Sequence, residues 1–386
     1  MPEEIILREE TLDASYLPPS LPHREMELGL LRERFSRAMA AGQGWSQLLT
    51  GGVGSGKTAL ARLLAHEVER RGGGKNGGGT PRTIYVNCWR RNSDRAVILA
   101  LLNEVNRPVP DRGFSVSEMM DTFEKGLRES ASPTLVVLDE VSTLLKAGSS
   151  KLIYMLTRGR EVGLGPLSLL LVAPQDVLPF LDAATRSSFG VTHRLHLRKY
   201  DRGQLADIVL ARASLALRPG ALDRSLAEQV ARVAEAQGDA RLALELLGGA
   251  AHRAEERGAR EISAEDVRWA KASIYPTMTE EKLEGLAPPS LLVLLALART
   301  LKGPGTWAAL EKVRKAHASA CEEFGVVPGS RVSFWRLVKG LEHEGLLEME
   351  YAHRGAPARL TQDEIPASML ELVLQERLGR SSAATG

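Results

Sequence analysis

Residues 51–58, Gly-Gly-Val-Gly-Ser-Gly-Lys-Thr, fit the pattern G-x-x-x-x-G-K-[ST]. The residue types follow from the chemistry of holding a polyphosphate. Glycines let backbone N–H groups wrap phosphate oxygens, and a helix that begins here adds the positive end of its dipole. On this reading Gly52, Val53, Gly54, Ser55, Gly56 and Ala59 supply the cradle, Lys57 neutralises the β- and γ-phosphates, and the Thr58 hydroxyl ligates Mg2+. Further on, Leu135-Val-Val-Leu138 reads as an apolar strand that delivers Asp139 and Glu140 at its end. Asp139 would hold the same Mg2+, directly or through water, and Glu140 would polarise an attacking water. An acid after a buried strand is common by itself; behind a phosphate loop in the same chain it implies a site for ATP or ADP. Gly238-Asp239-Ala240-Arg241 precedes a helical run. Asp239 is a good N-cap, which puts Arg241 in the first turn, where it could reach a γ-phosphate. The plainer alternative is a capped helix with a solvent-facing arginine. Tyr200 and Arg212 flank the next junction, and a tyrosine there suits an adenine ring or a hinge packed on protein.

These groups need elements to position them. Met26–Ala41 has helical periodicity, Ser46–Thr50 reads as a strand and Ala59–Arg71 as a helix. Thr83–Asn87, Leu135–Leu138 and Leu167–Ala173 are further β-rich apolar runs. Such runs separated by helices indicate an α/β fold, a parallel sheet with helices on both faces. The first 25 residues read as a polar, proline-rich tail that becomes ordered near Leu21, and the glycine-rich stretch 72–79 as a surface loop. From Asp201 to about Tyr275 only amphipathic helices remain. Pro276 and Ala287-Pro288-Pro289 bracket a linker. Beyond it come three helical segments and two short strands, Leu346–Tyr351 and Ala358–Thr361, the pattern of a winged helix-turn-helix. The expected division is a nucleotide-binding core at 1–200, a helical lid at 201–280 and a winged-helix domain at 281–386.

Composition excludes several classes. The apolar run Leu291–Ala298 is far shorter than the roughly 20 residues of a membrane helix, and the acidic start, MPEEIILREE, lacks the basic and apolar regions of a signal peptide. Cys88 and Cys321 are too few for a disulfide framework or a zinc site. The expectation is a cytoplasmic, nucleoid-associated protein with no membrane partner. Fifty Lys and Arg against 48 Asp and Glu leave a net charge of +2, so any nucleic-acid surface must be local.

Two local surfaces qualify. Ser330–Glu344 reads as a helix with Ser330 as N-cap and Gly345 as the stop. Phe334, Leu337, Val338 and Leu341 share one face; Arg336, Lys339 and His343 lie opposite, as a recognition helix in a major groove requires. Between Arg299 and Lys339 there are eight basic and three acidic residues, whereas Glu342–Glu350 carries four acids, so the basic surface is confined. Ser330, Arg331, Ser333, Arg336 and Lys339 are the candidate DNA contacts of this helix, with His353 and Arg354 at the tip of the wing. The second surface, Cys88–Phe114, is longer than a simple crossover needs and carries Arg90, Arg91, Arg95, Arg107 and Arg112. Ser115 and Glu118 form a capping box that restarts the helix after it. An ordinary solvated insertion is the alternative.

Taken together, these motifs resemble the archaeal origin-recognition initiators, AAA+ relatives of the eukaryotic origin recognition complex and its loading factor. The resemblance runs from about Tyr16 to the C-terminus. Tyr16-Leu-Pro-Pro-Ser-Leu-Pro22-His23-Arg24-Glu25 looks like the family's adenine-side segment, which implies nucleotide contacts for His23 and Arg24. Tyr85-Val-Asn-Cys88 and the helix after it look like its strand and initiator-specific insertion, which implies a DNA contact there. Gly238-Asp239-Ala240-Arg241 matches its second sensor. Two positions depart from the pattern: Gln175 stands where the family has a sensor asparagine, and Ser188 where eukaryotic relatives have an arginine, leaving Arg186 or Arg194 as finger. The resemblance implies an ATP-binding initiator with slow, switch-like hydrolysis. Its implied partners are double-stranded origin DNA, a replicative helicase and paralogous initiator subunits. A branch-migration motor with a winged helix and a signalling ATPase that regulates transcription are the competing readings.

Overall fold

Alternation along the strands explains why the first sheet is covered on both sides. In Leu135–Leu138, Leu135 and Val137 face one layer while Val136 and Leu138 face the other, and all four are buried. The computed structural model describes residues 4–70, 80–110, 113–130, 132–148, 150–157, 167–187, 189, 193–236, 238–274, 286–301, 307–351, 357–361, 366–367 and 369–375. The glycine-rich stretch, the linker around Pro276, Arg112, Ser188, His353 and Arg354 lie outside the described residues.

Helix α1 (Glu25–Ala40) leads into β1 (Ser46–Gly51) and α2 (Lys57–Arg70). Then follow β2 (Arg82–Asn87), α3 (Asp94–Glu104), α4 (Val116–Ser130), β3 (Thr134–Asp139), α5 (Val141–Lys146), α6 (Ser150–Thr157), β4 (Leu167–Ala173), α7 (Ala183–Ser187) and β5 (Arg194–Leu197). The strands pair in parallel in the order β2-β3-β4-β1-β5. Leu31, Phe35, Leu60 and Leu64 of α1 and α2 cover one face; Ile98, Leu101, Met120 and Phe123 of α3 and α4 cover the other. All strands point the same way, so their C-terminal ends, where loops gather, form one edge. Strand β5 has no sequence signal: its Arg194 and His196 are exposed, as an edge strand allows.

The lid helices are α8 (Arg202–Ala216), α9 (Arg224–Glu235), α10 (Ala240–Glu256) and α11 (Ala264–Ile274). The last domain holds α12 (Pro288–Thr300), β6 (Ala308–Ala309), α13 (Leu310–Glu323), α14 (Arg331–His343), β7 (Glu348–Tyr351) and β8 (Pro357–Thr361), with an antiparallel sheet ordered β6-β8-β7. Pro288 and Pro289 open α12 instead of ending a linker, because the first helical turn needs no N–H donor. The run Leu291–Ala298 is buried on every side of α12. Strand β6 is too short to leave a periodic signal.

The chain forms two compact units. Residues 17–200 join Gly238 and Asp239 in one unit, whereas the segment ending at Tyr16 joins the lid and the winged helix in the other. That segment is ordered, not a tail. Ile5, Ile6 and Leu12 are buried, and Ile6 bridges Leu217. The N–H groups of Leu7 and Arg8 both donate to the Ala216 carbonyl, at 2.8 and 3.1 Å. Short apolar clusters inside a polar stretch carry no period, so the periodicity reading passes over them. Lid and winged helix meet at a fully buried side chain, Arg268 of α11. It pairs with Glu265 at 2.9 Å and points at the carbonyls of Ala298 and Leu301 at the end of α12.

Candidate functional site

Gly51 ends β1 with φ +156, and Gly54 and Gly56 take φ +68 and +89, in the region that side chains disfavour. Space demands glycine as well. A Cβ on Gly54 would collide with the Asp239 carboxylate, and one on Gly56 would sit 2.8 Å from the Tyr200 hydroxyl. The turn therefore delivers Lys57 as the first residue of α2, with Thr58 and Ala59 in the same turn. The Lys57 ammonium, largely buried, donates to the Gly52 carbonyl at 2.8 Å, and the Ser55 hydroxyl donates to the same oxygen at 2.9 Å. Val53 lies at the exposed tip. The first-turn N–H groups of a helix have no intrahelical acceptor, so this loop is built to receive an anion.

Strand β3 brings the acids to the same place. The Thr58 hydroxyl donates to Asp139 Oδ2 at 2.9 Å, and the Asp139 side chain is buried. Its other oxygen accepts the Glu140 N–H at 2.9 Å. Glu140 itself takes φ 55, ψ 37, a left-handed conformation rare for a residue with a side chain and found where the surroundings hold it in place. Tyr85 of β2, which plays no part in the sequence reading of this site, donates its hydroxyl to the same Asp139 Oδ2 at 2.5 Å. Burial and the Asp139 charge raise the phenol's pKa, which keeps it a donor. The register of β2 on β3, with Asn87 opposite Asp139, makes the contact; no motif marks it. Cys88 lies behind, its thiol pushed up to about 12 by burial and by the two acids. Thr58 and Asp139 form a hard-oxygen pair of the kind Mg2+ accepts from protein, the remaining positions going to phosphates and water, so the donor set fits the ion.

The segment before α1 does not present its basic residues to solvent. Arg24 is buried; it donates to the Ser55 carbonyl at 3.1 Å, to the Arg198 carbonyl at 2.7 Å and to Glu27 at 3.1 Å. Its guanidinium lies 4.0 Å from the centroid of the buried Tyr200 ring. Arg24 thus braces the phosphate loop, and the Tyr200 ring packs against its guanidinium. His23 is half-buried with φ 64. The Arg212 guanidinium donates to the carbonyls of Thr11 and Asp13, both at 2.8 Å, and of Tyr16, and lies 5.3 Å from the Tyr16 ring centroid. It clamps the N-terminal segment onto the lid, a partner invisible when that segment is read as a tail. Asp239 is buried immediately before α10, and Arg241 is exposed in its first turn. After β4, Gln175 and Asp176 are exposed, and Arg194 pairs with Asp176 at 3.6 Å.

The basic surfaces separate into paired and exposed residues. Ser93 caps α3, whose Val97, Ile98, Leu101 and Leu102 enter the core, so the insertion is a packed element. Arg90 and Arg91 are exposed beside Trp89, while Arg95 donates to the Phe114 carbonyl at 2.7 Å and Arg107 pairs with Glu129. Ser115 and Glu118 cap each other's amides as expected. In the winged helix, Ser330 caps α14, and Phe334, Val338 and Leu341 are buried. Arg331 pairs with Glu311 at 3.0 Å and Lys339 with Glu342 at 2.8 Å; Ser330 and Ser333 bond each other, and Arg336 is exposed. No helix among the described residues is long and apolar enough to cross a membrane.

Three family profiles match the chain: an AAA domain over residues 45–181, a Cdc6 AAA+ ATPase-type lid domain over 206–272, and a CDC6 C-terminal winged helix domain over 281–372. An ORC1-type DNA replication protein 1 of Aeropyrum pernix is 32% identical over 363 residues, 92% of this chain and 90% of that one. A putative ORC1-type DNA replication protein 1 of Thermoplasma acidophilum is 27% identical, covering 90% and 96%. Among solved structures, Cdc6p from Pyrobaculum aerophilum superposes with a TM-score of 0.81 at 26% identity, covering 98% and 99%. The Aeropyrum pernix ORC1 protein in complex with DNA gives 0.63 at 30% identity, covering 96% and 97%.

Proposed function

Because this chain belongs to the ORC1-type family of DNA replication proteins, with an AAA+ ATPase domain, a Cdc6-type lid and a winged helix, we propose that it is an ATP-switched initiator that grips double-stranded origin DNA and helps recruit the replicative helicase. The observation that carries the nucleotide half is the Thr58–Asp139 contact beside Lys57 at the C-terminal edge of the sheet. Thr58 and Asp139 would hold Mg2+, which when bound offsets charge on the β- and γ-phosphates. Lys57 would leave the Gly52 carbonyl for phosphate, Glu140 would orient the attacking water, and Arg241 would report the γ-phosphate from the lid. The pairing of Arg194 with Asp176, and an exposed Gln175 in place of the sensor asparagine, favour slow turnover and hence a switch over a motor.

The DNA half rests on the exposed Arg336 of α14 and on Arg90 and Arg91 of the insertion, two basic places in a chain of net charge +2. The relative solved in complex with DNA supports DNA as the ligand. The test is footprinting of the purified full chain on the chromosomal region flanking its gene, with ATP, with ADP, and with a Lys57→Ala variant. Protection of repeated or inverted sites that differs between ATP and ADP, and a variant blind to that difference, is the expected result. Uniform, sequence-independent protection that ignores nucleotide would reject the initiator reading.

A further inference from the structure

The outward surface of α14 is mostly occupied before any ligand arrives. Arg331 reaches back to Glu311 at 3.0 Å. Ser330 and Ser333 hold each other at 3.1 Å, and Ser330 also caps the Ser333 amide. Lys339 is paired with Glu342 at 2.8 Å, its ammonium 5.4 Å from the Trp335 ring centroid. In the first half of the helix Arg331 and Ser333 are exposed but paired as described, while Arg336 and Val332, the latter 67% exposed, stand outward on the side opposite the buried Phe334 and Val338. Val332 and Arg336 stand four residues apart, on one stripe, separated by about 6 Å along the axis. A valine at an exposed helix position has lower propensity than Arg, Lys, Gln or Glu, so local stability does not account for it.

Base edges in the major groove offer a partner for each. An arginine fork fits the O6 and N7 acceptors of guanine, and the thymine methyl is the apolar group that a small apolar side chain reads. Stacked pairs rise about 3.4 Å per step, so two steps match the separation of the two side chains. We propose that Val332 reads a thymine methyl and Arg336 a guanine edge, so that the preferred duplex carries a guanine and a thymine about two base-pair steps apart. This rests on the reading above that α14 enters duplex DNA, and it adds which residues of α14 carry the sequence preference. The paired Arg331 and Lys339 then touch backbone or nothing.

The experiment is selection from a pool of random duplexes by the full chain with ATP and Mg2+, run on wild type, Val332→Ala and Arg336→Ala. Each thymine of the wild-type motif is then replaced singly by deoxyuridine, which lacks the methyl, and binding is titrated. Wild type should enrich a motif with the stated G and T. One deoxyuridine position should weaken it by about fourfold, the equivalent of about 0.8 kcal/mol for one buried methyl. Val332→Ala should lose the preference at that position and its sensitivity to deoxyuridine, while Arg336→Ala loses the guanine and binds roughly tenfold or more weakly on that motif. Val332 is exposed and the substitution leaves the fold intact. If wild type enriches a motif that Val332→Ala reproduces, deoxyuridine sensitivity included, Val332 is not a base reader, and its surface serves another partner or none; the initiator reading stands. If wild type enriches nothing, the DNA reading fails and this inference falls with it.

Discussion

Arg24→Ala separates a brace from a ligand contact. Arg24 is 4% exposed and serves five partners at once: the carbonyls of His23, Ser55 and Arg198, the carboxylate of Glu27 and the ring of Tyr200. Truncation leaves the buried Ser55 carbonyl without this donor, a loss that costs about 1–3 kcal/mol, and the part-buried Arg198 carbonyl likewise at a smaller cost. It also removes the ion pair of a mostly buried Glu27, and taking one partner from a buried charged cluster costs about 3–5 kcal/mol. A loss near 4 kcal/mol is therefore expected in chemical denaturation, without nucleotide, followed by a signal from Trp45 in the sheet unit. Because Ser55 is in the phosphate loop, nucleotide affinity should fall as well, through a loop that no longer holds its shape. Arg24→Lys should recover only a fraction, since an ammonium cannot reproduce the planar fork that reaches Ser55 and Arg198 together. The reasoning is refuted if Arg24→Ala keeps wild-type stability and loses only nucleotide affinity in calorimetry. That result would make Arg24 a direct contact, as the resemblance to the adenine-side segment implies.

Three further outcomes follow from the same geometry. Glu140→Ala should bind ATP with wild-type affinity in calorimetry yet slow phosphate release in a turnover assay, because Glu140 acts on water and not on the ligand; unchanged turnover would remove it from the chemistry. Tyr85→Phe removes a donor from the Asp139 oxygen that also faces Thr58. Hydrogen bonds to charged groups contribute about 1.5–3 kcal/mol when shielded, and this partly exposed one less, so the Mg2+ concentration for half-maximal ATP binding should fall by no more than about tenfold; a higher requirement would show that the phenol positions Asp139 instead. Arg90→Ala with Arg91→Ala should flatten the slope of log affinity against log salt by about two units on duplex DNA if both reach phosphate, whereas Arg95→Ala, whose side chain is tied to the Phe114 carbonyl, should leave it nearly unchanged.

The chemistry of the nucleotide site was legible in the chain because a phosphate loop is local. Its glycines, Lys57 and Thr58 are neighbours, and the demands of a tight turn and a helix start fall on consecutive residues. Asp139 was legible for a related reason: an apolar strand that ends in acids is a local pattern. Helix α14 was equally clear, with its cap at Ser330, its buried face and the stop at Gly345, since 3.6-residue periodicity is written in the sequence itself. Tertiary structure alone decided which side chains have a partner across the fold. By sequence Arg24 and Arg212 are nucleotide candidates and Arg95 a DNA candidate; each is bound to backbone carbonyls brought to it from elsewhere in the chain. Tyr85 joins the acid site through strand register, and the first residues join the lid through the Ile6 bridge, the backbone bonds to Ala216 and the Arg212 clamp. Residue type and spacing determine what a group can do, whereas occupation depends on what the folded chain places within about 3 Å of it, the reach of a hydrogen bond.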